Sequence, residues 1–206
     1  MSSPRGRLIA FEGTEGTGKS THLQGLAAAL RAEGRRVRET REPGGTLLGA
    51  EIRRVVMHVE TEVPTPLAEL LLYLADRAQH LDTVIRPALA AGEIVLTDRF
   101  SASTIAYQGY GRGLDLETVT RLDALVRGDV APDLTILLDA PIEVGLRRAR
   151  GDDRFHRAEI SFHERVRQGF LRQASQDPER VRVVDATRDC EAVAAEILDL
   201  VRTWLR

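Results

Sequence analysis

The chain has 206 residues, of which 43% are hydrophobic, and a formal net charge of −2. That is enough apolar material for one buried core. The near-balanced charge gives no general attraction to nucleic acid, so the arginines have to be read one at a time. The single cysteine, Cys190, excludes a disulfide framework, no apolar run approaches a bilayer span, and residues 1–6 lack a signal-type apolar stretch; a soluble, cytoplasmic protein with no membrane or nucleic-acid partner is expected.

In chain order, Arg7-Leu8-Ile9-Ala10-Phe11-Glu12 reads as a buried strand running into Gly13-Thr14-Glu15-Gly16-Thr17-Gly18-Lys19-Ser20. From Thr21 to Leu30 the apolar residues then recur at helical spacing. The middle segment fits the phosphate-loop pattern, in which backbone N–H groups wrap nucleotide phosphates, a lysine meets the β/γ oxygens and a hydroxyl meets Mg²⁺. Lys19 is the only lysine among 29 basic residues. A planar guanidinium is too bulky for that slot, whereas a compact ammonium fits.

Further strands are predicted near 36–41, 93–98, 133–139 and 181–185, each followed by a helical pattern. This alternation predicts a five-stranded parallel sheet with helices on both faces, its carboxyl ends lining one crevice with the phosphate loop. Helical patterns at about 47–57 and 65–90 exceed a plain crossover. They predict an inserted helical subdomain, about 46–90, within a single domain spanning 1–206.

Several side chains should reach the crevice. Asp98 and Arg99 close the third strand, where an Asp orders Mg²⁺ or its waters and an Arg holds a phosphate; a structural ion pair is the alternative. Residues 101–108 read as the next helix, placing Thr104, Tyr107 and Gln108 on one face suited to a base and sugar, or else to solvent. Tyr73 and Arg77 lie one turn apart on an apolar helix, where a buried arginine needs a carboxylate or a ligand carbonyl. The arginine-rich run at about 147–160, including Arg148, Arg150 and Arg154, predicts a mobile lid over a transferring phosphoryl group. The five histidines show no metal-ligand spacing except the i, i+7 distance between His156 and His163, and none is assigned a metal.

Taken together, the phosphate loop, Arg41-Glu42-Pro43-Gly44-Gly45-Thr46, Asp76-Arg77-Ala78-Gln79-His80, Asp98-Arg99-Phe100, Ala106-Tyr107-Gln108-Gly109 and the lid resemble bacterial thymidylate kinases in order and spacing. The resemblance covers nearly the whole chain. It implies the three-layer P-loop NTPase fold of nucleoside monophosphate kinases, phosphorylation of dTMP to dTDP by ATP, Mg²⁺ and a homodimer. It further implies that Gly13, Thr14, Glu15, Gly16, Thr17, Gly18, Lys19, Ser20 and Thr21, with Arg148, hold ATP, and that Ser20, Asp98 and Glu15 face the metal. Glu15, Pro43, Tyr73, Arg77, Arg99, Thr104, Tyr107 and Gln108 would hold dTMP, with Arg99 on its phosphate, Arg77 and Thr104 on thymine, Tyr73 stacked on the base and Tyr107 against the deoxyribose. Lys19, Glu15, Arg99, Arg150 and Arg154 would carry catalysis. His156 and Ala158 replace two acids usual in the lid, and Glu159 could compensate.

Two other readings can be weighed on residues alone. A nucleoside kinase would need a carboxylate base such as Glu12, but the Asp98–Arg99 pair favours an acceptor that is already charged. A GTPase switch would need an Asn-Lys-x-Asp motif, and the chain contains no asparagine.

Overall fold

The protein is described by a computed structural model covering residues 5–57, 62–149 and 159–206. Arg150, Arg154, His156 and Ala158 of the expected lid lie outside the described residues. The strands are β1 (Arg7–Glu12), β2 (Val37–Arg41), β3 (Ile94–Asp98), β4 (Leu134–Asp139) and β5 (Val181–Asp185). All pair in parallel in the order β2-β3-β1-β4-β5. The chain leaves β1 in one direction to build β2 and β3, then returns past β1 to add β4 and β5. That reversal opens a crevice at the carboxyl end of β1.

Strand alternation divides the core into two layers. Ile9 and Phe11 join Leu96, Ile136 and Leu138 under α1 (Lys19–Ala32) and α9 (Cys190–Trp204), where Leu23, Leu26, Leu30, Val193, Ile197 and Val201 complete the cluster. Leu8, Ala10 and Val95 point to the opposite face, toward Leu81, Ile85, Leu89 and Phe100. A run of helices joins β2 to β3. It consists of α2 (Leu47–Met57), α3 (Pro66–His80), a π-helical turn (Leu81–Ile85) and α4 (Arg86–Ala90). Thr65 caps α3 by accepting from the Ala68 N–H, and Pro66 suits the first turn.

One element departs from expectation. Instead of a single α-helix over 101–108, the chain forms α5 (Ser101–Thr104) and then a π-helical turn (Ile105–Gly111). The wider turn lies against α8 (Ile160–Gln176), and a Cβ on Gly111 would come within 2.7 Å of Phe162 Cε2 and 2.8 Å of Val166 Cγ2. Tertiary packing therefore sets the winding of this segment. After it come α6 (Leu116–Arg127), capped by Asp115, and α7 (Ile142–Arg148).

Candidate active site

The phosphate loop follows β1 with left-handed backbone at Gly16 (φ 70°) and Gly18 (φ 87°), a conformation that disfavours any side chain. At Gly16 space is closed as well, because a Cβ there would overlap the carbonyl oxygen of Gly145 on α7. Lys19, at the start of α1, folds its ammonium back over the loop and donates to the carbonyls of Gly13 (3.1 Å) and Thr14 (2.7 Å). Burial, followed by repulsion from Arg99, pushes its pKa down to about 8, against the pull of Asp98, Glu15 and Glu12. The next hydroxyl, Ser20 Oγ, donates to Asp98 Oδ2 at 2.6 Å.

Across the crevice, Arg99 occupies a left-handed conformation (φ 74°), the one non-glycine residue among those described to do so. Its NH1 donates to Gly13 O (3.1 Å) and Ser103 Oγ (2.9 Å), and its NH2 to Glu15 Oε1 (3.2 Å) and Tyr107 Oη (3.1 Å). Tyr107 Oη in turn donates to Glu15 Oε1 at 2.6 Å, and its ring packs edge-on against Phe162 and Phe170. Burial holds the phenol above its ordinary pKa, so it remains a neutral donor. The same burial would raise Glu15, but His163, Arg99 and Lys19 outweigh it and keep this carboxyl well below the usual range. Here His163 Nδ1 lies 3.5 Å from Glu15 Oε2.

Behind this pair, Glu12 is buried and pushed up to about 7 by desolvation. It accepts from the Phe100 N–H (2.8 Å), the Ser103 N–H (3.2 Å) and Ser103 Oγ (2.5 Å). Its oxygens are thus spent on fixing the turn that carries Arg99, and it lines neither of the two clefts described next.

The larger cleft, about 870 Å³, runs from the phosphate loop past Asp98, Arg41 and Arg53 to Arg148 and the turn at 186–190. The smaller is lined by Pro43, Tyr73, Arg77, Phe100, Thr104, Tyr107 and Gln108. Glu15, Glu42, Met57 and Arg99 line both, so the two spaces meet beside the phosphate loop. The larger cleft is rich in basic side chains, and the smaller is lined by three aromatic rings.

A family model described as "Thymidylate kinase" matches residues 11–197. The chain belongs to the thymidylate kinase family. It is 46% identical over 205 residues to the thymidylate kinase of Geobacter sulfurreducens, covering 95% of this chain and 96% of that one. With the Alcanivorax borkumensis thymidylate kinase it shares 50% identity over 205 residues, covering 97% and 99%. A crystal structure of the thymidylate kinase from Ehrlichia chaffeensis superimposes with a TM-score of 0.80 at 35% identity, covering 97% of this chain and 100% of that one.

For a chain of the thymidylate kinase family, the expected residues divide sensibly between the clefts. Residues 15–21, Asp98 and Arg148 face the larger one, and Pro43, Tyr73, Arg77, Thr104, Tyr107 and Gln108 the smaller. Gly13 and Thr14 contribute their carbonyls to Lys19 rather than lining either space. Gln108 and Arg77, which line the smaller cleft, also bind buried carboxylates. Gln108 donates to buried Glu69 (2.7 Å), and Arg77 is paired with Glu42 and Asp123. Arg148 donates to the carbonyls of Ala186 (2.6 Å) and Thr187 (3.1 Å), tying α7 to the turn after β5.

Residue-by-residue reading of the sequence passed over Arg53, Arg41, His163 and the turn at 186–190. The turn follows a parallel strand, and that position was the available signal. Arg53 donates to Pro43 O (3.2 Å), and burial followed by repulsion from Arg41 lowers its pKa, outweighing the opposing influence of Tyr73 and Asp98. The i, i+7 spacing of His163 from His156 carries no pointer to its contact with Glu15.

Proposed function

We propose that the larger cleft holds ATP, the smaller holds dTMP, and the reacting phosphates meet where Glu15 and Arg99 line both. As a member of the thymidylate kinase family, the protein is an enzyme that transfers the γ-phosphoryl group of ATP to the 5′-phosphate of dTMP, giving dTDP. The junction of a basic cleft with an aromatic one at a single arginine is the observation that carries the assignment of sites.

The acceptor is a phosphate monoester with a second pKa of about 6, so its oxygen is already ionised at neutral pH. No general base is required, which suits a site whose buried acids Glu12 and Glu42 each have both oxygens engaged inside the protein. The work left is alignment and charge neutralisation. Lys19 exchanges its loop carbonyls for β/γ oxygens, Arg99 holds the acceptor phosphate, and Arg41 and Arg53 add positive charge between the clefts. Tyr73 stacks on the base, while Arg77, Thr104 and Gln108 face its polar edge and Tyr107 lies against the sugar. The family resemblance assigns further catalytic positive charge to Arg150 and Arg154, outside the described residues, and exclusion of water as a competing acceptor to the lid, about 147–160.

Ser20 Oγ and Asp98 Oδ2, 2.6 Å apart beside the loop, offer hard oxygen ligands that suit Mg²⁺. Among the described residues no group of three or more His, Cys, Asp or Glu could hold a metal ion. This suits an ion held by one or two side chains together with phosphate oxygens and water, with Glu15 reaching it through such waters. When bound, Mg²⁺ supplies charge neutralisation of the donor phosphates.

The buried ammonium makes donor binding pH-dependent. Burial lowers the Lys19 pKa to about 8 from an ordinary 10.5, and a triphosphate beside it would stabilise the charged form. ATP binding above pH 8 should therefore take up a proton, and affinity should fall by up to about tenfold per pH unit as the pH rises further. Calorimetry at pH 8.5 in buffers of different ionisation enthalpy should detect this uptake. It should vanish in Lys19→Met.

The reading also includes a single catalytic domain, a homodimer and a cytoplasmic location. Leu48 and Val55 of α2, Leu67 and Leu71 of α3 and Leu125 of α6 are exposed on neighbouring helices, which supports a second copy of the chain packing there. Leu71→Asp should shift sedimentation to that of a monomer. No helix among the described residues is long and apolar enough to cross a membrane.

The decisive assay for the function is ADP release with dTMP, dUMP, dGMP, AMP, CMP and thymidine as acceptors. dTMP should be preferred and thymidine inert. Faster turnover of thymidine than of dTMP would transfer the chain to the nucleoside kinases.

A further inference from the structure

Arg77 is almost fully buried on α3, yet it lines the smaller cleft. Its Nε donates to Glu42 Oε2 at 2.8 Å, its NH2 lies 2.8 Å from the same oxygen, and its NH1 donates to Asp123 Oδ1 at 2.5 Å. The Phe100 ring sits 4.9 Å from Cζ and covers one face of the guanidinium. Each carboxylate is itself held. Glu42 Oε1 meets His80 Nδ1 at 2.9 Å, with His80 Nε2 in turn 2.5 Å from Thr40 Oγ1. Asp123 accepts from Ser101 Oγ (2.9 Å) and Arg127 Nε (3.2 Å). Asp123 comes from α6, which otherwise takes no part in the site.

We infer that Glu42 and Asp123 are positioning residues for base selection: they lock Arg77 so that its guanidinium presents hydrogen-bond donors to the base edge. A guanidinium has about five N–H donors, and those not directed at the two carboxylates remain for a ligand. Such an edge suits a base carrying a carbonyl oxygen, as thymine does, and opposes an exocyclic amine such as that of cytosine. The lock has a second effect. Glu42 lines the cleft with its two oxygens already engaged, one by Arg77 and one by His80. Releasing NH1 from Asp123 lets the guanidinium turn and frees Glu42 to accept from an amine, so discrimination should fail from both sides.

This inference rests on the reading that the smaller cleft holds the nucleobase, and the experiment separates the two ideas. The quantity measured is the ratio of kcat/KM for dTMP to that for dCMP, with KM for ATP and the thermal midpoint as controls. Asp123→Ala should lower the ratio about tenfold, the worth of roughly one hydrogen bond, while leaving KM for ATP unchanged. Asp123→Asn keeps an acceptor oxygen for NH1 and should restore most of the ratio, which a general loss of stability would not do. If Arg77→Ala leaves the ratio unchanged, the nucleobase assignment itself fails. If Arg77→Ala collapses the ratio but Asp123→Ala does not, the assignment stands and the positioning role is overturned. Should Asp123→Ala not fold, Asp123→Ser, which cannot reach NH1, is read by the same criterion.

Discussion

Lys19→Met should reduce kcat by at least about 10²–10³-fold, the cost of removing one preorganised charged donor from a transition state. Lys19 is 8% exposed, and its ammonium donates to the carbonyls of Gly13 and Thr14. Those carbonyls hold it in place but gain little from it. The sign of the pKa change makes the experiment discriminating. A lysine whose folded pKa lies below its unfolded value destabilises the folded chain at neutral pH, because burial there carries the charge without full compensation. The Met variant should therefore keep its thermal midpoint or raise it while losing turnover. Lys19→Arg should fail too, since the guanidinium needs more room than the loop leaves around Nζ. Turnover within tenfold of wild type in the Met variant would remove the phosphate-loop assignment. Equal losses of stability and activity would reduce Lys19 to a structural residue.

Arg99→Ala should be the next most damaging change, lowering kcat/KM for dTMP by about 10³-fold through both binding and turnover. One guanidinium here joins the phosphate loop (Gly13), the acid of that loop (Glu15), the helix start (Ser103) and the aromatic wall (Tyr107). No shorter side chain spans those partners. Removing it leaves Glu15 without its arginine partner, and because both groups are partly solvent-exposed the stability loss should be about 1–3 kcal/mol, below that of a fully buried pair. Backbone strain adds a control. A non-glycine residue in the left-handed region costs about 1–2 kcal/mol, so Arg99→Gly should be more stable than Arg99→Ala while equally inactive. If the glycine variant instead recovers dTMP turnover, the defect lay in the backbone and the phosphate-clamp role of Arg99 is wrong.

What the sequence by itself determined is local in character. The phosphate loop was legible because glycine positions, one lysine and a hydroxyl have to occur at set offsets between a strand and a helix. The parallel sheet followed from apolar runs such as 134–138, which only a doubly covered strand requires. Asp98 and Arg99 could be placed at the crevice because a parallel strand ends there. The tertiary structure alone decided the rest. Sequence periodicity did not order the strands as β2-β3-β1-β4-β5 or show the π-helical winding at Ile105–Gly111, which packs against a helix that follows it in the chain. Nor did it choose between a carboxylate and a ligand for Arg77, whose partners Glu42 and Asp123 are 35 and 46 residues away. The turn at 186–190 and Arg53 were missed for the same physical reason. Their roles arise from charge and space shared among segments distant in sequence, and spacing along a single segment carries no trace of them.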